Sequence, residues 1–214
     1  MPEELQEAFV STVKEVVATL YPTLRDNQDY TSIINARHFD RLHSYLDEAR
    51  QAGVELIELN PAGEDFSGQP HHKIVPTLLR NPGDELQVME DEIFGPLLPF
   101  KPYKTITEVA AYINSRPRPL GLYYLGTDPD EESFVLSRTT SGGVTLNDVL
   151  RHGGVETLPF GGVGNSGMGC YHGFDGFRTF SHAKSVLRTV DGPDLMRPPY
   201  SEGARQMIIS LIKR

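Results

Sequence analysis

The glycine-rich stretch of residues 158–173, LPFGGVGNSGMGCYHG, is the feature that most limits what this chain can fold into. Six of its sixteen residues are glycine, which adopts backbone angles closed to other residues and lets a second backbone or a ligand approach closely. The stretch is too irregular for the interior of a helix or a strand, and its flanks are too apolar for a disordered linker. We therefore predict an ordered loop at the edge of a site, with a flexible surface connection as the alternative.

Three of these glycines, Gly162, Gly164 and Gly167, have the G-x-G-x-x-G spacing of dinucleotide-binding turns. That spacing indicates a phosphate-binding turn only where it follows a strand, opens a helix and precedes an acidic residue by about 20 positions. Further glycines follow here, and no helical pattern is predicted to begin. The context therefore argues against the dinucleotide interpretation.

The rest of the chain alternates between helical and strand periodicities. Apolar residues at i, i+3 and i+4 spacing predict an opening helix that ends at Pro22 and a second helix over 32–52. Short helices and strands then alternate, with strands at 54–59, 73–79, 97–103, 120–125 and 143–146 and helices at 105–114 and 128–139. This alternation predicts an α/β fold with a mostly parallel sheet and flanking helices. Because such folds normally open with a strand, two opening helices indicate a sheet that lacks its beginning.

The pattern changes again near the C-terminus. The segment FRTFSHAKSVLR alternates over a short span and predicts a strand from Phe177 to Leu187. A proline-rich crossing and a terminal helix from Glu202 to Lys213 complete the chain.

Composition excludes several classes of function. The net charge of −9 argues against a nucleic-acid partner, because duplex binding requires basic residues that displace counterions. No apolar run approaches the roughly 20 residues of a membrane span and no signal peptide is evident, so we predict a cytoplasmic protein without membrane contact. A single cysteine excludes an internal disulfide and the Cys-rich zinc frameworks, and the seven histidines show no metal-ligand spacing. We therefore predict no metal.

Two groups of residues offer chemistry. In MEDEIFGPLLPF, residues 89–100, a carboxylate would accept hydrogen bonds from hydroxyls such as those of a ribose, and Phe94 offers a flat face to a planar ring. The alternative is a solvated acidic turn. Cys170 and the nearby His172 raise the question of a Cys–His nucleophile, but no third residue is evident that would orient the pair.

Three motifs in this order, EDEIFGPLLPF, TSGGVTLNDV and LPFGGVGNSGMGCYHGFDGFRTFSHAKSV, resemble the C-terminal part of an aldehyde dehydrogenase. Within that superfamily they are similar to the class 3-like branch, which includes bacterial coniferyl aldehyde dehydrogenases. The resemblance runs essentially from end to end, and the ordered combination is far more specific than any one motif. It implies that residues 1–175 are part of the catalytic domain and residues 176–214 are an oligomerisation strand and tail.

The resemblance also implies a chemistry and a set of site residues. In the family, a cysteine thiolate attacks the aldehyde, hydride passes to NAD or NADP, and a glutamate-activated water hydrolyses the thioester. By motif match, Glu92 would hold the nicotinamide ribose and Phe94 would border the nicotinamide. The residues expected near the substrate funnel are Asn147, Phe160, Tyr171 and His172.

The departures from the family pattern concern the reacting groups. In the family, the nucleophilic cysteine, the glutamate base, the oxyanion asparagine and almost the whole cofactor domain precede the segment at which this chain begins. Cys170 matches a position that is not the nucleophile. We therefore assign no catalytic residue to this chain and expect it not to bind NAD or NADP tightly.

The leading hypothesis is thus an inactive C-terminal fragment of an NAD(P)-dependent enzyme that oxidises hydrophobic or aromatic aldehydes and forms homo-oligomers. One alternative is a non-catalytic interaction module that pairs with a full-length subunit through the strand at 177–187. A small nucleotide-binding module is another, supported only by Glu92, Phe94 and the G-x-G-x-x-G spacing.

Overall fold

The computed structural model describes residues 1–188 and 198–213. Its strands are β1 (Glu55–Glu58), β2 (Thr77–Arg80), β3 (Leu97–Phe100), β4 (Gly121–Tyr124) and β5 (Gly143–Leu146). Its α-helices are α1 (Gln6–Leu20), α2 (Ala36–Gln51), α3 (Gln87–Glu90), α4 (Ile106–Ser115), α5 (Pro129–Arg138), α6 (Gly173–Thr179) and α7 (Glu202–Ile212). Helices and strands alternate through the middle of the chain, so the predicted α/β class is confirmed.

The strands form two small sheets. In the three-stranded sheet β1 is antiparallel to β2, and β2 is parallel to β3 with Leu78 opposite Leu98. In the two-stranded sheet β4 is parallel to β5 with Leu122 opposite Val144. Two of the three pairings are parallel, as predicted. A parallel pair of strands exposes both of its edges unless further chain covers it.

Helix starts follow local capping. Asn35 accepts a hydrogen bond from the backbone N–H of His38, so α2 begins after Asn35 and not at the predicted residue 32. Thr105 caps α4 by accepting from the N–H of Glu108, while the Glu108 carboxylate reaches the N–H of Lys104. The two bonds together form a capping box in which the carboxylate binds the N–H one residue before the cap.

Each sheet has its own core. Helix α2 turns a fully apolar face to the three-stranded sheet, and its buried residues are Leu42, Tyr45, Leu46 and Ala49. Val10 of α1 packs with Leu78 and Phe100 in a second cluster of that sheet. Val135 of α5 packs with Leu122 and Tyr124 of β4. Within 1–188 and 198–213, no helix has both the length and the apolar character needed to cross a bilayer.

The strand predicted from Phe177 to Leu187 is not formed. Residues 177–179 belong to α6, and residues 181–188 have no secondary structure. A strand requires backbone partners, and within the described residues this segment pairs with no neighbouring strand. Phe180 and Leu187 are each 86% exposed, so no core holds the alternating pattern in place either. The role of this segment in oligomerisation stays a prediction.

Other elements differ from the sequence-based expectation at their ends. Strand β2 begins at Thr77 and not at residue 73, because Pro76 has no N–H to donate and the ladder with β3 begins at Thr77. Helix α6 begins at Gly173, although no helix was predicted there, and the predicted domain boundary at 175–176 falls inside it. Helix α3 was also not predicted. The division into two domains itself stays a prediction.

A carboxylate joins the loop before α3 to β3 and α4. Asp84 accepts hydrogen bonds from Lys101 Nζ at 2.7 Å, Tyr112 Oη at 2.8 Å and Arg116 Nη2 at 2.8 Å. The hydrogen bond from Lys101, followed by those from Tyr112 and Arg116, lowers the pKa of Asp84 from 3.8 to about 2. Arg116 also donates to the carbonyl of Met89 at 3.0 Å, so the cluster holds the chain that leads into the acidic motif.

We predict that Asp84 makes the stability of the fold depend on pH at the acidic end. A carboxylate with a lowered pKa stabilises the fold above pH 3.8, and that contribution is lost as the pH falls towards about 2. Asp84→Asn should therefore lower the melting temperature at neutral pH, and its deficit should shrink between pH 4 and pH 2. Because the side chain is half exposed, the deficit should be about 1 kcal/mol or less.

Asp40→Asn is the control for this measurement, because Asp40 is exposed and forms no ion pair with the described residues. Its melting curves should match those of the parent protein at every pH. A deficit for Asp84→Asn that stays constant from pH 7 to pH 2 would contradict the assignment.

Candidate functional site

The two residues expected to contact the cofactor lie on the loop between α3 and β3. Phe94 has a positive φ of 49°, a left-handed conformation that is strained for a bulky residue. Its ring is 80% exposed, so the strained backbone presents an uncovered aromatic face to solvent. Glu92 is exposed two residues earlier, and its carboxylate has no hydrogen-bond partner among the described residues.

Helix α2 holds this loop through a side chain that binds backbone carbonyls of the loop. Arg41 donates from Nη1 to the carbonyl of Glu92 at 3.0 Å and from Nη2 to the carbonyl of Ile93 at 2.6 Å. Nη1 also donates to Tyr45 Oη at 2.7 Å, and Tyr45 Oη donates to the Asp91 carboxylate at 2.6 Å. Burial and the bond to Asp91 raise the pKa of Tyr45, which keeps its proton available for that bond. The planar guanidinium therefore fixes two successive carbonyls of the loop.

A cavity of about 900 Å³ lies beside the loop. Glu92 and Phe94 line one side of it, and residues 30–34 line another. That second wall is tied to the chain before β2, because Tyr30 Oη donates to the carbonyl of Ile74 at 2.6 Å. Burial raises the pKa of Tyr30, so the phenol stays protonated as a donor. The cavity thus has two walls whose backbones are fixed by side chains.

The residues around this cavity fit one end of a nicotinamide cofactor. An unpaired carboxylate suits the hydroxyls of a ribose, and an uncovered aromatic ring suits a planar base. The G-x-G-x-x-G glycines lie around a short 3₁₀ turn, Gly164–Ser166, and form no strand-to-helix phosphate turn. In the described part of the chain, no three His, Cys, Asp or Glu side chains come close enough together to hold a metal ion. The roles of Glu92 and Phe94 stay predictions.

The glycine-rich loop forms the second candidate region, and it is closed at its base. Phe160 and Tyr171 exchange two backbone hydrogen bonds of 2.9 Å in an isolated antiparallel bridge. Their rings meet edge to face at 5.6 Å, and the His172 ring stacks on Phe160 at 6.0 Å. Three of the four predicted funnel residues are therefore in mutual contact. The sequence-based expectation of an ordered loop is confirmed.

Glycine is required in this loop because backbones touch there. A Cβ atom at Gly161 would overlap the carbonyl oxygen of Gly169 and approach the Cα of Cys170 at 2.8 Å. A Cβ atom at Gly142, at the start of β5, would overlap the carbonyl oxygen of Gly161. The loop therefore packs against itself and against the end of the β4–β5 sheet without intervening side chains.

Asn147, the fourth predicted funnel residue, joins the ends of the two strands β4 and β5. It has a positive φ of 54°, and its backbone N–H donates to the carbonyl of Tyr124 at 2.7 Å. Its Oδ1 accepts from the N–H of Gly126 at 2.9 Å. The side-chain oxygen is therefore engaged in joining the ends of β4 and β5, and Nδ2 is the group it can still offer. Its place in the funnel stays a prediction.

Cys170 lies half-buried in the loop, next to Tyr171 in sequence. Its carbonyl accepts a hydrogen bond from the Thr179 hydroxyl at 2.7 Å, which ties the loop to α6. His172 Nδ1 is buried and has no hydrogen-bond partner among the described residues, so it is not paired with the thiol. The geometry supplies no Cys–His pair of the kind that nucleophilic catalysis requires.

Sequence reasoning missed three residues that shape these regions. Arg41 and Tyr45 lie on the core-facing side of α2. The sequence pattern that could have identified them is an arginine four residues before a tyrosine, next to the apolar residues of the same helix face. His152 is 9% exposed and packs on Phe160, and no sequence pattern distinguishes it from a surface histidine. The structure brings Phe160, Tyr171 and His172 together, whereas the cavity at Glu92 is lined by none of them.

We predict that Arg41→Lys loosens the loop that carries Glu92 and Phe94. Lysine keeps the charge but cannot reach two carbonyls and a phenol with one planar group. The free energy of unfolding should fall by about 1–3 kcal/mol, the range for lost hydrogen bonds to a charged group. Denaturant titration measures this change, and proteolysis near residue 94 should become faster.

Arg37→Lys is the matched control, since Arg37 lies on the same helix, is exposed and forms no hydrogen bond with the described residues. It should leave both measurements unchanged. If Arg41→Lys is as stable and as protease-resistant as Arg37→Lys, the loop does not depend on the guanidinium.

The chain is similar to known proteins over its whole length. The model of the "Aldehyde dehydrogenase family" matches residues 1–186. A probable coniferyl aldehyde dehydrogenase of Caulobacter vibrioides is 52% identical over 100% of this chain. A coniferyl aldehyde dehydrogenase of Pseudomonas sp. strain HR199 is 51% identical over 99% of it. The chain spans about 45% of the length of each of these relatives.

Solved structures give the same result. The substrate-bound state of Staphylococcus aureus AldH superimposes with a TM-score of 0.78 at 33% identity, covering 99% of this chain and 45% of that protein. The similarity therefore extends over both sheets and over the regions described above. The resemblance drawn from the three motifs is confirmed, and the chain belongs to the aldehyde dehydrogenase family.

Proposed function

We propose that this chain acts as the C-terminal part of an NAD(P)-dependent aldehyde dehydrogenase that oxidises hydrophobic or aromatic aldehydes such as coniferyl aldehyde. The observation that carries the proposal is the identity of 52% and 51%, over essentially the whole chain, to two proteins named for coniferyl aldehyde. A cytoplasmic location belongs to the proposal and rests on the sequence alone.

In this proposal the loop held by Arg41 contributes the nicotinamide end of the cofactor site. The bound cofactor would supply the hydride acceptor. Glu92 would bind ribose hydroxyls through its unpaired carboxylate, and Phe94 would border the planar base. Because both carbonyls beside them are fixed by Arg41, the two side chains would meet the cofactor without a costly rearrangement.

The aromatic cluster at the base of the glycine-rich loop would contribute one wall of the substrate funnel. Phe160, Tyr171 and His172 offer apolar ring surface next to polar edges, which suits a phenolic aldehyde. The contact of Phe160 with Tyr171 through two backbone hydrogen bonds would keep this wall in one shape.

We further propose that the chain alone is inactive and binds NAD or NADP weakly. Aldehyde oxidation requires a thiolate, an oxyanion donor and a water-activating base together with the cofactor. Cys170 has no histidine partner in the described residues, and Glu92 would be occupied by ribose hydroxyls. The cavity beside Glu92 would provide contacts for one end of the cofactor only, and the contacts to its pyrophosphate and adenosine would come from residues outside this chain.

We predict that the isolated chain produces no NADH or NADPH from coniferyl aldehyde or benzaldehyde, and that Cys170→Ala is equally silent. A chimera in which the remaining part of the Pseudomonas relative precedes this chain should oxidise coniferyl aldehyde. In that chimera Glu92→Gln should lower kcat/KM about ten- to a hundredfold, because a charge-assisted hydrogen bond is lost. Absorbance of the reduced cofactor measures all of these rates.

Calorimetric titration of the isolated chain with NAD and NADP completes this test. Micromolar binding by the isolated chain, or turnover that Cys170→Ala abolishes, would overturn the inactivity. If the folded chimera reduces NAD with none of the aldehydes that are tested, the proposed substrate class is wrong.

We predict that the isolated chain self-associates. In the described residues β4 and β5 pair with no third strand, and apolar side chains on α6 and after it are exposed, with Phe177 67% and Phe180 86% accessible. Phe177→Asp combined with Phe180→Asp should shift the protein towards monomer in sedimentation velocity at high micromolar concentration. Ile34→Asp, at an exposed apolar residue elsewhere, should leave the distribution unchanged. A clean monomer for the parent chain would contradict the prediction.

A further inference from the structure

We propose that Thr145 and His152 form a positioning pair that fixes Phe160 and, through it, the base of the glycine-rich loop. The inference rests on the proposed role of Phe160, Tyr171 and His172 in the substrate funnel, and it deepens that role. Neither member of the pair belongs to the funnel itself. Both act by holding one ring in place.

The pair is buried and joined twice. Thr145 lies in β5, His152 follows it by seven residues, and each is 9% exposed. Thr145 Oγ1 lies 2.7 Å from His152 Nδ1, and the same oxygen accepts a hydrogen bond from the backbone N–H of His152 at 3.2 Å. We assign the hydroxyl proton to the bond with Nδ1, because the oxygen then accepts once and donates once. The ring proton is accordingly on Nε2.

The imidazole ring occupies a space beside β4 and β5 at which both strands carry glycine and therefore no side chain. A Cβ atom at Gly143 of β5 would overlap the ring, and one at Gly121 of β4 would stand 3.4 Å from its Cε1. Tyr123 of β4 flanks the ring at 6.2 Å between centroids. Two neighbouring glycines on paired strands, Gly121 and Gly143, therefore create the space that the His152 ring occupies.

From this position the ring contacts the loop. The centroids of His152 and Phe160 are 5.9 Å apart. Phe160 in turn contacts the rings of Tyr171 and His172 and exchanges two backbone hydrogen bonds with Tyr171. The orientation of the imidazole thus determines the position of Phe160 through one aromatic contact, and Phe160 in turn holds the base of the loop.

The unpaired nitrogen shows what the imidazole contributes. His152 Nε2 is buried without a hydrogen-bond partner in the described residues. An apolar ring would fill the same space and leave no buried nitrogen unpaired. What the imidazole adds is Nδ1 as an acceptor for the Thr145 hydroxyl, and that hydrogen bond selects one rotation of the ring. We therefore read the pair as a device for orientation more than for stability.

Cys170 provides a local measure of this orientation. It is the only thiol of the chain, it precedes Tyr171, and its backbone packs against Gly161. Thr145→Val keeps the size of the side chain and removes the hydroxyl. The rate at which a thiol reagent labels Cys170 under native conditions should rise about fivefold, the change expected when a neutral hydrogen bond is lost from a local opening equilibrium. Thr145→Ser, which keeps the hydroxyl, should restore the parent rate.

Thr77→Val is the matched control. Thr77 is 3% exposed, and its hydroxyl donates to the carbonyl of Val75 at 2.9 Å in the other sheet. This variant also loses a buried hydroxyl bond, so it should lower the melting temperature without changing the labelling rate of Cys170. His152→Phe keeps the ring and removes Nδ1, and it should accelerate labelling as Thr145→Val does. The double variant should label no faster than Thr145→Val, because that substitution already removes the bond to Nδ1 that His152→Phe removes.

The proposal is overturned if Thr145→Val and His152→Phe both label at the parent rate. Equal acceleration by Thr77→Val would also overturn it, since the effect would then be a general loss of stability. If one of the two variants fails to fold, the other decides the question. In the chimera described above, Thr145→Val should raise the KM for coniferyl aldehyde more than it lowers kcat, with the KM for NAD unchanged. A chimera without activity, together with the predicted labelling, would refute the proposed function and leave the positioning pair standing.

Discussion

The guanidinium of Arg41 is the group on which the candidate cofactor region depends. It fixes two successive carbonyls of a loop whose phenylalanine has a strained backbone, and strain of that kind persists only where its surroundings hold it. The guanidinium itself is oriented by Tyr45, which is fully buried in the core between α2 and the three-stranded sheet. Packing of the helix on the three-stranded sheet thereby determines the positions of Glu92 and Phe94.

The second region relies on a different means of positioning. Its loop approaches the β4–β5 sheet so closely that glycine is required on both sides, at Gly142 and Gly161. Close backbone contact leaves few side chains to order the loop, and the aromatic contact from His152 to Phe160 fills that role. Each region therefore depends on a polar side chain, Arg41 in one and His152 in the other, that orients the residues of the candidate site.

Both regions occupy a chain that spans about 45% of the relatives it matches. That proportion agrees with the proposal that the cavity beside Glu92 would contact only one end of a cofactor. It also agrees with a parallel pair of strands, β4 and β5, that pairs with no third strand in the described residues. The activity, the aldehyde and the oligomeric partner of a longer protein accordingly remain proposals, whereas membership of the family is established.

Sequence by itself determined the family, the α/β class and the order of nearly every element, because periodicity and motif order are local properties that survive without knowledge of contacts. It also identified Gly161 and its neighbours as parts of an ordered loop. Only the tertiary structure decided the fate of residues 177–187, because an alternating pattern becomes a strand only beside a partner. Tertiary structure alone also revealed Arg41 and His152. Their roles depend on backbone carbonyls and on glycines in segments distant in sequence. A local pattern can place Arg41 beside Tyr45 on one helix face, but it does not show which carbonyls the guanidinium binds.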